Sequence, residues 1–219
     1  IHMSVNERGF LADLATAEFL GAESTRALEQ MTAAWTARAL KYTTEGKGNP
    51  RSIKCRQALS LALGGTGKES WARGTADFDN APAELRAFAE DFQDLAGAAF
   101  KKLGALCDQA SDDGRLRGAF LYQGQRTGRF ASKGVQIHNL PRADYGYDEI
   151  QKFLHTRQTD LTGRAYIDLL RSAIRGVFIA PAGRKLVVGD FSQIELRLQA
   201  LITGEKWMLE AFAAGEDIY

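Results

Sequence analysis

At 219 residues the chain is long enough for one large domain or two small ones. Its 45% hydrophobic and 25% charged content is that of an ordinary globular protein, which argues against a disordered chain, and no apolar run approaches the length of a membrane span. The net charge of +1 hides an uneven distribution: from Gly114 through Ala143 there is no acidic residue, while Arg115, Arg117, Arg126, Arg129, Lys133 and Arg142 all fall there. Phe120, Tyr122 and Phe130 are interleaved with these cations, a pattern suited to a polyanion, although a solvated basic surface reads the same way. Cys55 and Cys107 lie far apart without metal-ligand spacing, so they fit reduced cytosolic thiols rather than a disulfide framework or a zinc site. No charged-then-apolar leader precedes Met3, and the expected location is the cytoplasm of a bacterial or phage-infected cell.

In chain order, Asn6 to Asp13 reads as a turn into a helix, and Leu28, Met31 and Trp35 mark one face of a long helix continuing to about Leu40. Thr43 to Pro50 is a loop, and Asn49-Pro-Arg-Ser52 offers a cap for a second helix running to about Leu63. Gly64 to Asn80 reads as a long loop. From Ala81 a third helix is expected, with Pro82 in its first turn and Leu85, Phe88, Phe92, Leu95 and Ala99 on one seam that Leu103 and Leu106 continue. That helix would pack antiparallel on the first and end at Ser111-Asp-Asp-Gly114. Beyond it, Leu116 to Tyr122 reads as a strand, Gly124 to Arg142 as loop-rich, and about Asp148 to Arg175 as helical. Val177 to Ala180 and Lys185 to Val188, joined by Pro-Ala-Gly183, suggest a hairpin. Helices in the first half and strands in the second predict an α+β protein in two lobes, residues 1–113 and 114–219.

The stretch Lys185-Leu-Val-Val-Gly-Asp-Phe-Ser-Gln-Ile-Glu-Leu-Arg197 carries the most chemical information. Leu186 to Val188 reads as a buried strand that ends near Asp190, where a carboxylate can face a metal, and Ser192 to Glu195 has the form of a capping box. A structural Asp in a strand-to-helix turn is the plainer alternative. Gly64-Gly-Thr-Gly-Lys-Glu69 hints at a phosphate-binding loop, but Glu69 occupies the Ser/Thr position, Ala62 the first Gly, and a helix-like segment precedes it, so it is read as an ordinary loop.

Asp190 to Arg197 closely resembles motif A of family A DNA polymerases, the DNA polymerase I family, differing from Asp-Tyr-Ser-Gln-Ile-Glu-Leu-Arg only by Phe191 for Tyr. Arg126-Thr-Gly-Arg-Phe130 through Gln136-Ile-His-Asn-Leu-Pro-Arg142 resembles a second segment of that family. There Gln136 and His138 stand for Asn and Gln, and one residue is absent between Pro141 and Arg142. Asn6 to Asp13 resembles the start of the polymerase thumb, Asn49 to Ser52 the thumb tip, and Ala211 to Ile218 the lead into the fingers. The spelling around Asn139 suggests a phage or prophage member.

The resemblance implies a helical thumb-like lobe over 1–113 and a partial palm with antiparallel strands over 114–219. It implies template-directed DNA synthesis by two-metal nucleotidyl transfer on primer–template DNA and deoxynucleoside triphosphates. Asp190 would bind both Mg²⁺ ions, with the Phe191 carbonyl as a further ligand, because Mg²⁺ favours one or two carboxylates plus substrate phosphates. Ser192, Gln193 and Ile194 would meet the nucleotide through the backbone, and Glu195 would close the space that a ribose 2′-hydroxyl needs. Arg129 would reach the minor groove, where acceptors occur on every base pair. Gln136, His138, Asn139, Arg142 and Arg126 would contact primer or template. Arg51 and Lys54, with Lys41, Lys47 and Arg56, would meet phosphates at the thumb tip. The nucleotide-binding fingers helix and the second catalytic carboxylate of the family have no counterpart in the 219 residues. The expectation is therefore an incomplete fragment without activity of its own, or alternatively a noncatalytic DNA-binding module or half of a split polymerase needing a fingers–palm segment.

Overall fold

The computed structural model describes residues 2–72, 78–95 and 99–218, which fall into two compact units, residues 1–181 and 182–219. In the first unit, α1 (His2–Arg8) leads through Gly9 into β1 (Phe10–Leu11). Gly9 has φ +66°, and a Cβ there would stand 2.6 Å from the Leu116 carbonyl oxygen, so only glycine lets β1 approach its partner. Asp13 caps α2 (Leu14–Ala39), its carboxylate accepting from the Thr16 N–H at 3.0 Å and the Thr16 hydroxyl at 2.6 Å. The hydroxyl contact is the main cause that holds the Asp13 carboxyl below its ordinary value.

Helix α2 serves two cores. Ala17, Leu20 and Ala27 pack with Leu103, Leu106, Leu116, Ile167 and Leu170, whereas Trp35 and Ala39 pack with Cys55, Leu59, Leu85 and Phe88. Leu28 and Met31 lie against both clusters. The Trp35 indole N–H donates to the Phe88 carbonyl at 3.1 Å, so the largest buried side chain of the second core is also polar-satisfied. Ser52 caps α3 (Ile53–Ala62), accepting from the Cys55 N–H at 3.3 Å. The loop after α3 closes on Glu69, whose carboxylate accepts from the Ser60 hydroxyl at 2.6 Å and from the Thr66 N–H. An internal carboxylate thus occupies the amide environment that a phosphate would need, consistent with the reading of this stretch as a loop.

The expected single helix from Ala81 is two: α4 (Ala83–Leu95) and α5 (Lys101–Gln109), both packed on α2, with residues 96–98 outside the description. The expected strand over Leu116 to Tyr122 is also divided, because Gly118 turns the chain at φ +62°. Thus β2 (Arg115–Leu116) pairs antiparallel with β1 in the register Phe10 to Leu116, and β3 (Phe120–Leu121) pairs antiparallel with β4 (Ala131–Ser132) in the register Phe120 to Ser132. The helical stretch that follows breaks at Arg157, which adopts φ +57°, giving α6 (Tyr147–Thr156) and α7 (Gly163–Ala173) before a 3₁₀ turn over Ile174–Val177.

The hairpin expected between Val177–Ala180 and Lys185–Val188 does not form. The first arm pairs with the chain before α2 instead: the Asp13 N–H donates to Val177 O at 2.8 Å and the Ile179 N–H to Leu11 O at 3.0 Å. This satisfies the polar backbone of the short β1 segment from a second side. Residues 184–191 have no strand partner among the described residues, and Val187 and Val188 are 94% and 93% exposed. The division into compact units accordingly falls at 181/182, while the first core spans both sides of the expected 113/114 boundary. Among the described residues the protein is mostly helical with two small antiparallel sheets, which is an α+β arrangement. No helix among them is long and apolar enough to cross a membrane.

In the second unit, α8 (Ile194–Thr203) and α9 (Lys206–Ala214) end at left-handed Gly204 and Gly215. Ala200, Met208 and Phe212 form its small core, with Leu196 and Ile218 against it.

Candidate nucleic-acid interface and motif aspartate

The β3–β4 hairpin is the most exposed part of the acid-free stretch. Asn6 fixes its base: the Asn6 side chain accepts from the Phe120 N–H at 3.0 Å and donates to the Phe120 carbonyl at 2.8 Å, as a neighbouring strand would. Tyr122 and Phe130 face each other across the hairpin with ring centroids 5.6 Å apart. At the apex the Gly128 N–H donates to Gln125 O at 2.9 Å, placing Arg126 and Thr127 at the centre of a β-turn. Residues 122–130, including Arg126 and Arg129, are all exposed.

The chain then runs from one buried apolar anchor, Val135, to another, Leu140, and the residues between them bulge outward. Gln136 takes φ +51° and opens the 3₁₀ turn Ile137–Asn139, which closes through the Asn139 N–H to Gln136 O at 2.9 Å. Gln136, His138 and Asn139 are thereby brought onto one exposed turn, followed by exposed Arg142. The His138 ring packs 4.9 Å from that of Phe120, and the His138 backbone N–H donates to the Ser132 hydroxyl at 3.4 Å, so the turn and the hairpin form one surface.

Two cations expected in the basic footprint are engaged elsewhere. Arg117 binds both Asp113 oxygens, at 2.7 and 2.6 Å, and also the Glu7 carbonyl at 2.9 Å; that guanidinium contact holds the Asp113 carboxyl down at about 2. Arg115 donates to the Arg8 carbonyl at 3.3 Å. At the tip after α2, Lys41, Lys47, Arg51 and Lys54 are exposed, whereas Arg56 turns inward. Its guanidinium donates to Pro50 O at 2.6 Å and lies 4.5 Å from the Phe92 ring centre, and burial pushes its pKa down.

In the second unit the expected capping box is absent. Gln193, at φ +50°, occupies the N-cap position of α8 without a side-chain cap bond, and Ser192 instead offers its carbonyl to Arg197 Nε at 2.9 Å. The Arg197 guanidinium also lies 4.4 Å from the Phe212 ring centre, so this arginine secures the turn to the small core. The Gln193 amide nitrogen donates to Asp217, which ties the turn to the end of the chain, while its amide oxygen is buried without a hydrogen-bond partner. Asp190 and Phe191 precede this turn and are exposed, as are Ser192, Ile194 and Glu195. Among the described residues no three His, Cys, Asp or Glu side chains converge as a metal would require. Asp190 thus stands on an exposed segment with no cluster of such side chains around it among the described residues.

A family model described as DNA polymerase family A matches residues 81–219, a span that includes the hairpin, the 136–142 turn and Asp190. The chain belongs to DNA polymerase family A. It is similar to a DNA polymerase of Bacillus phage SP02, 34% identical over 132 residues, which cover 58% of this chain and 20% of that protein. It is 28% identical over 200 residues to the mitochondrial DNA polymerase I B of Oryza sativa subsp. japonica, covering 81% of this chain and 19% of the rice protein. It is also 42% identical over 66 residues to the chloroplastic/mitochondrial DNA polymerase I A of Arabidopsis thaliana, covering 30% of this chain and 6% of that one. The chain thus spans about a fifth or less of the length of these family A relatives.

The exposed residues of 126–142 and 190–195 stand out in the sequence, but what holds them does not. Asn6, which straps the hairpin, sits in a stretch read as a turn into a helix that resembles the start of a thumb, and a side chain pairing with a strand more than a hundred residues away leaves no local pattern.

Proposed function

We propose that this chain is part of a template-directed DNA polymerase, contributing a thumb-like region over 1–113 and part of a palm over 114–219. The observation that carries the reading is the acid-free surface formed by exposed residues 122–130 with exposed Gln136, His138, Asn139 and Arg142, within the span matched by the family A model. Backbone phosphates would be met by Arg126, Arg142, Arg51 and Lys54, contacts that position DNA without reading sequence. Arg129 would enter the minor groove, with Gln136, His138 and Asn139 hydrogen-bonding primer or template. Asp190 and the Phe191 carbonyl would hold Mg²⁺, which when bound neutralises charge on the transferring phosphoryl group. Ser192, Gln193 and Ile194 would line the nucleotide, and Glu195 would exclude a 2′-hydroxyl. The family's soluble setting would be the cytoplasm of a bacterial or phage-infected cell.

A second reading, half of a split polymerase, is favoured by the apolar surface of the second unit, where Val187, Val188, Phe191, Ile202 and Trp207 are all exposed. Such a surface suits a complementary fingers–palm segment.

The test is binding of a fluorescent primer–template by the 219-residue chain at several salt concentrations. Replacing Arg126 or Arg142 with Gln should lower the slope of log affinity against log salt by about 0.9 each for a contact to duplex DNA. Unchanged slopes in both variants would remove the proposed surface. Primer extension by the chain alone should be negligible; robust extension abolished by Asp190→Ala would overturn that part.

A further inference from the structure

Between the anchors Val135 and Leu140 the chain carries no strand pairing, so its carbonyls need partners from elsewhere. Three consecutive carbonyls at its end receive them from two cations. Lys102 Nζ, on the first turn of α5, donates to Asn139 O. Arg175, in the 3₁₀ turn after α7, donates from Nη2 to Leu140 O at 2.9 Å and from Nε to Pro141 O at 2.8 Å. One guanidinium therefore spans two adjacent peptide units, and Pro141 has no N–H with which to join a ladder of its own. The side chains of Gln136, His138, Asn139 and Arg142 remain on the exposed side.

We propose that Lys102 and Arg175 are positioning residues that clamp the backbone of residues 139–141 and so hold the 136–142 turn in its DNA-facing conformation. The inference rests on the reading of that turn as a DNA contact. Arg175 suits the task through the shape of its head: the fixed fork meets two acceptors at once, whereas a lysine ammonium offers a point charge on a floppy stem. Lys102 is half-buried, and desolvation pushes its pKa below the ordinary lysine value; its contact is an ion–dipole one to the helical turn's terminal carbonyl. Charge alone is thus insufficient at position 175, while position 102 requires a cation of the right reach.

The experiment compares the full chain with Arg175→Lys, Lys102→Met, Asn139→Ala and Arg142→Gln, and with Arg175→Lys combined with Asn139→Ala. Primer–template affinity by fluorescence anisotropy is one readout. The other is hydrogen exchange at the Asn139 and Leu140 amides, which close the turn onto Gln136 O and Ile137 O. Arg175→Lys and Lys102→Met should each speed exchange at those amides and weaken binding about fivefold, the scale of one lost hydrogen bond. The combined variant should bind better than the product of the single losses predicts, because both act through one turn. Additivity within about twofold would overturn the clamp, as would unchanged exchange. A fall of about 0.9 in the salt slope for Lys102→Met would also overturn it, since that marks a direct phosphate contact. If Asn139→Ala and Arg142→Gln weaken binding but Arg175→Lys does not, the clamp alone fails. If Asn139→Ala and Arg142→Gln both leave binding unchanged, the assignment of the turn to DNA fails, and the proposal with it.

Discussion

Burial alone would push the Glu69 carboxyl up, yet hydrogen bonds from the Ser60 hydroxyl and the Thr66 N–H outweigh it and hold the group at about 2. A depressed acid contributes stability that is fully present above its unfolded value of 4.5 and is lost as pH falls through about 2. Glu69→Gln should therefore cost about 1 kcal/mol at neutral pH, a figure kept modest because the group is only half-buried. The gap between wild type and variant should close between pH 4.5 and 2, measured by urea unfolding at a series of pH values. A gap that stayed constant down to pH 2 would show that the carboxylate charge contributes nothing. The same residue explains how far the sequence could be read locally. Glu69 in place of Ser/Thr, Ala62 in place of the first Gly and the helix-like segment before them rejected a phosphate loop, but the bond from Glu69 to Ser60, nine positions back, depends on how the loop folds. The motif residues Asp190 to Arg197 were likewise legible by identity and spacing. Their surroundings were not: an apolar run such as Leu186 to Val188 becomes a strand only where a partner strand lies beside it, and none does among the described residues.

Helices were readable where periodicity ran long, as in α2, whose start after the turn ending at Asp13 and whose packed face at Leu28, Met31 and Trp35 follow from residue type and spacing. Helix breaks were less so, because Arg157 adopts a left-handed conformation that its side chain does not announce. The strands were the least visible, since each of the four among the described residues is two residues long, too short for an alternating pattern to register. Such short strands rely on outside support, and for the hairpin that support is Asn6, bonded twice to Phe120. Asn6→Ala leaves the Phe120 N–H and carbonyl to seek water, at a cost of about 1–2 kcal/mol. Hydrogen exchange should report this as faster exchange at Phe120 and Lys133, whose N–H donates to Ala119 O at 3.0 Å. An unaltered exchange pattern across 119–133 would mean that the paired rings and the ladder hold the hairpin without Asn6.

The first unit joins its two cores through α2, and an ion cluster links α4 of one core to α7 of the other. Asp94 on α4 is only 5% exposed and receives Arg164 Nε at 2.7 Å and Arg171 Nη2 at 3.1 Å, both from α7. Arg164 also reaches Glu90 at 2.9 Å, while Arg171 holds Asp168 at 2.7 Å and Arg38 of α2 pairs with Asp91 at 2.6 Å. Charge composition could not foretell this, because the partners come from segments about 70 residues apart and look like ordinary surface charges on each helix. Desolvating such ions is expensive, and the cost is recovered only while every partner stays in place. Asp94→Ala should therefore destabilise the protein by about 3 kcal/mol, since it leaves the half-buried Arg171 facing a cavity with Asp168 alone. Replacing Asp94 with Leu and Arg171 with Met together should recover only part of that loss, because the pair is exchanged for apolar packing while Arg164 keeps Glu90 and Asp168 loses its cation. Urea unfolding followed by Trp35 and Trp71 fluorescence, from the core beside α4, measures both effects. If the double replacement is as unstable as Asp94→Ala, the cluster contributes through its hydrogen-bond geometry rather than by filling the junction.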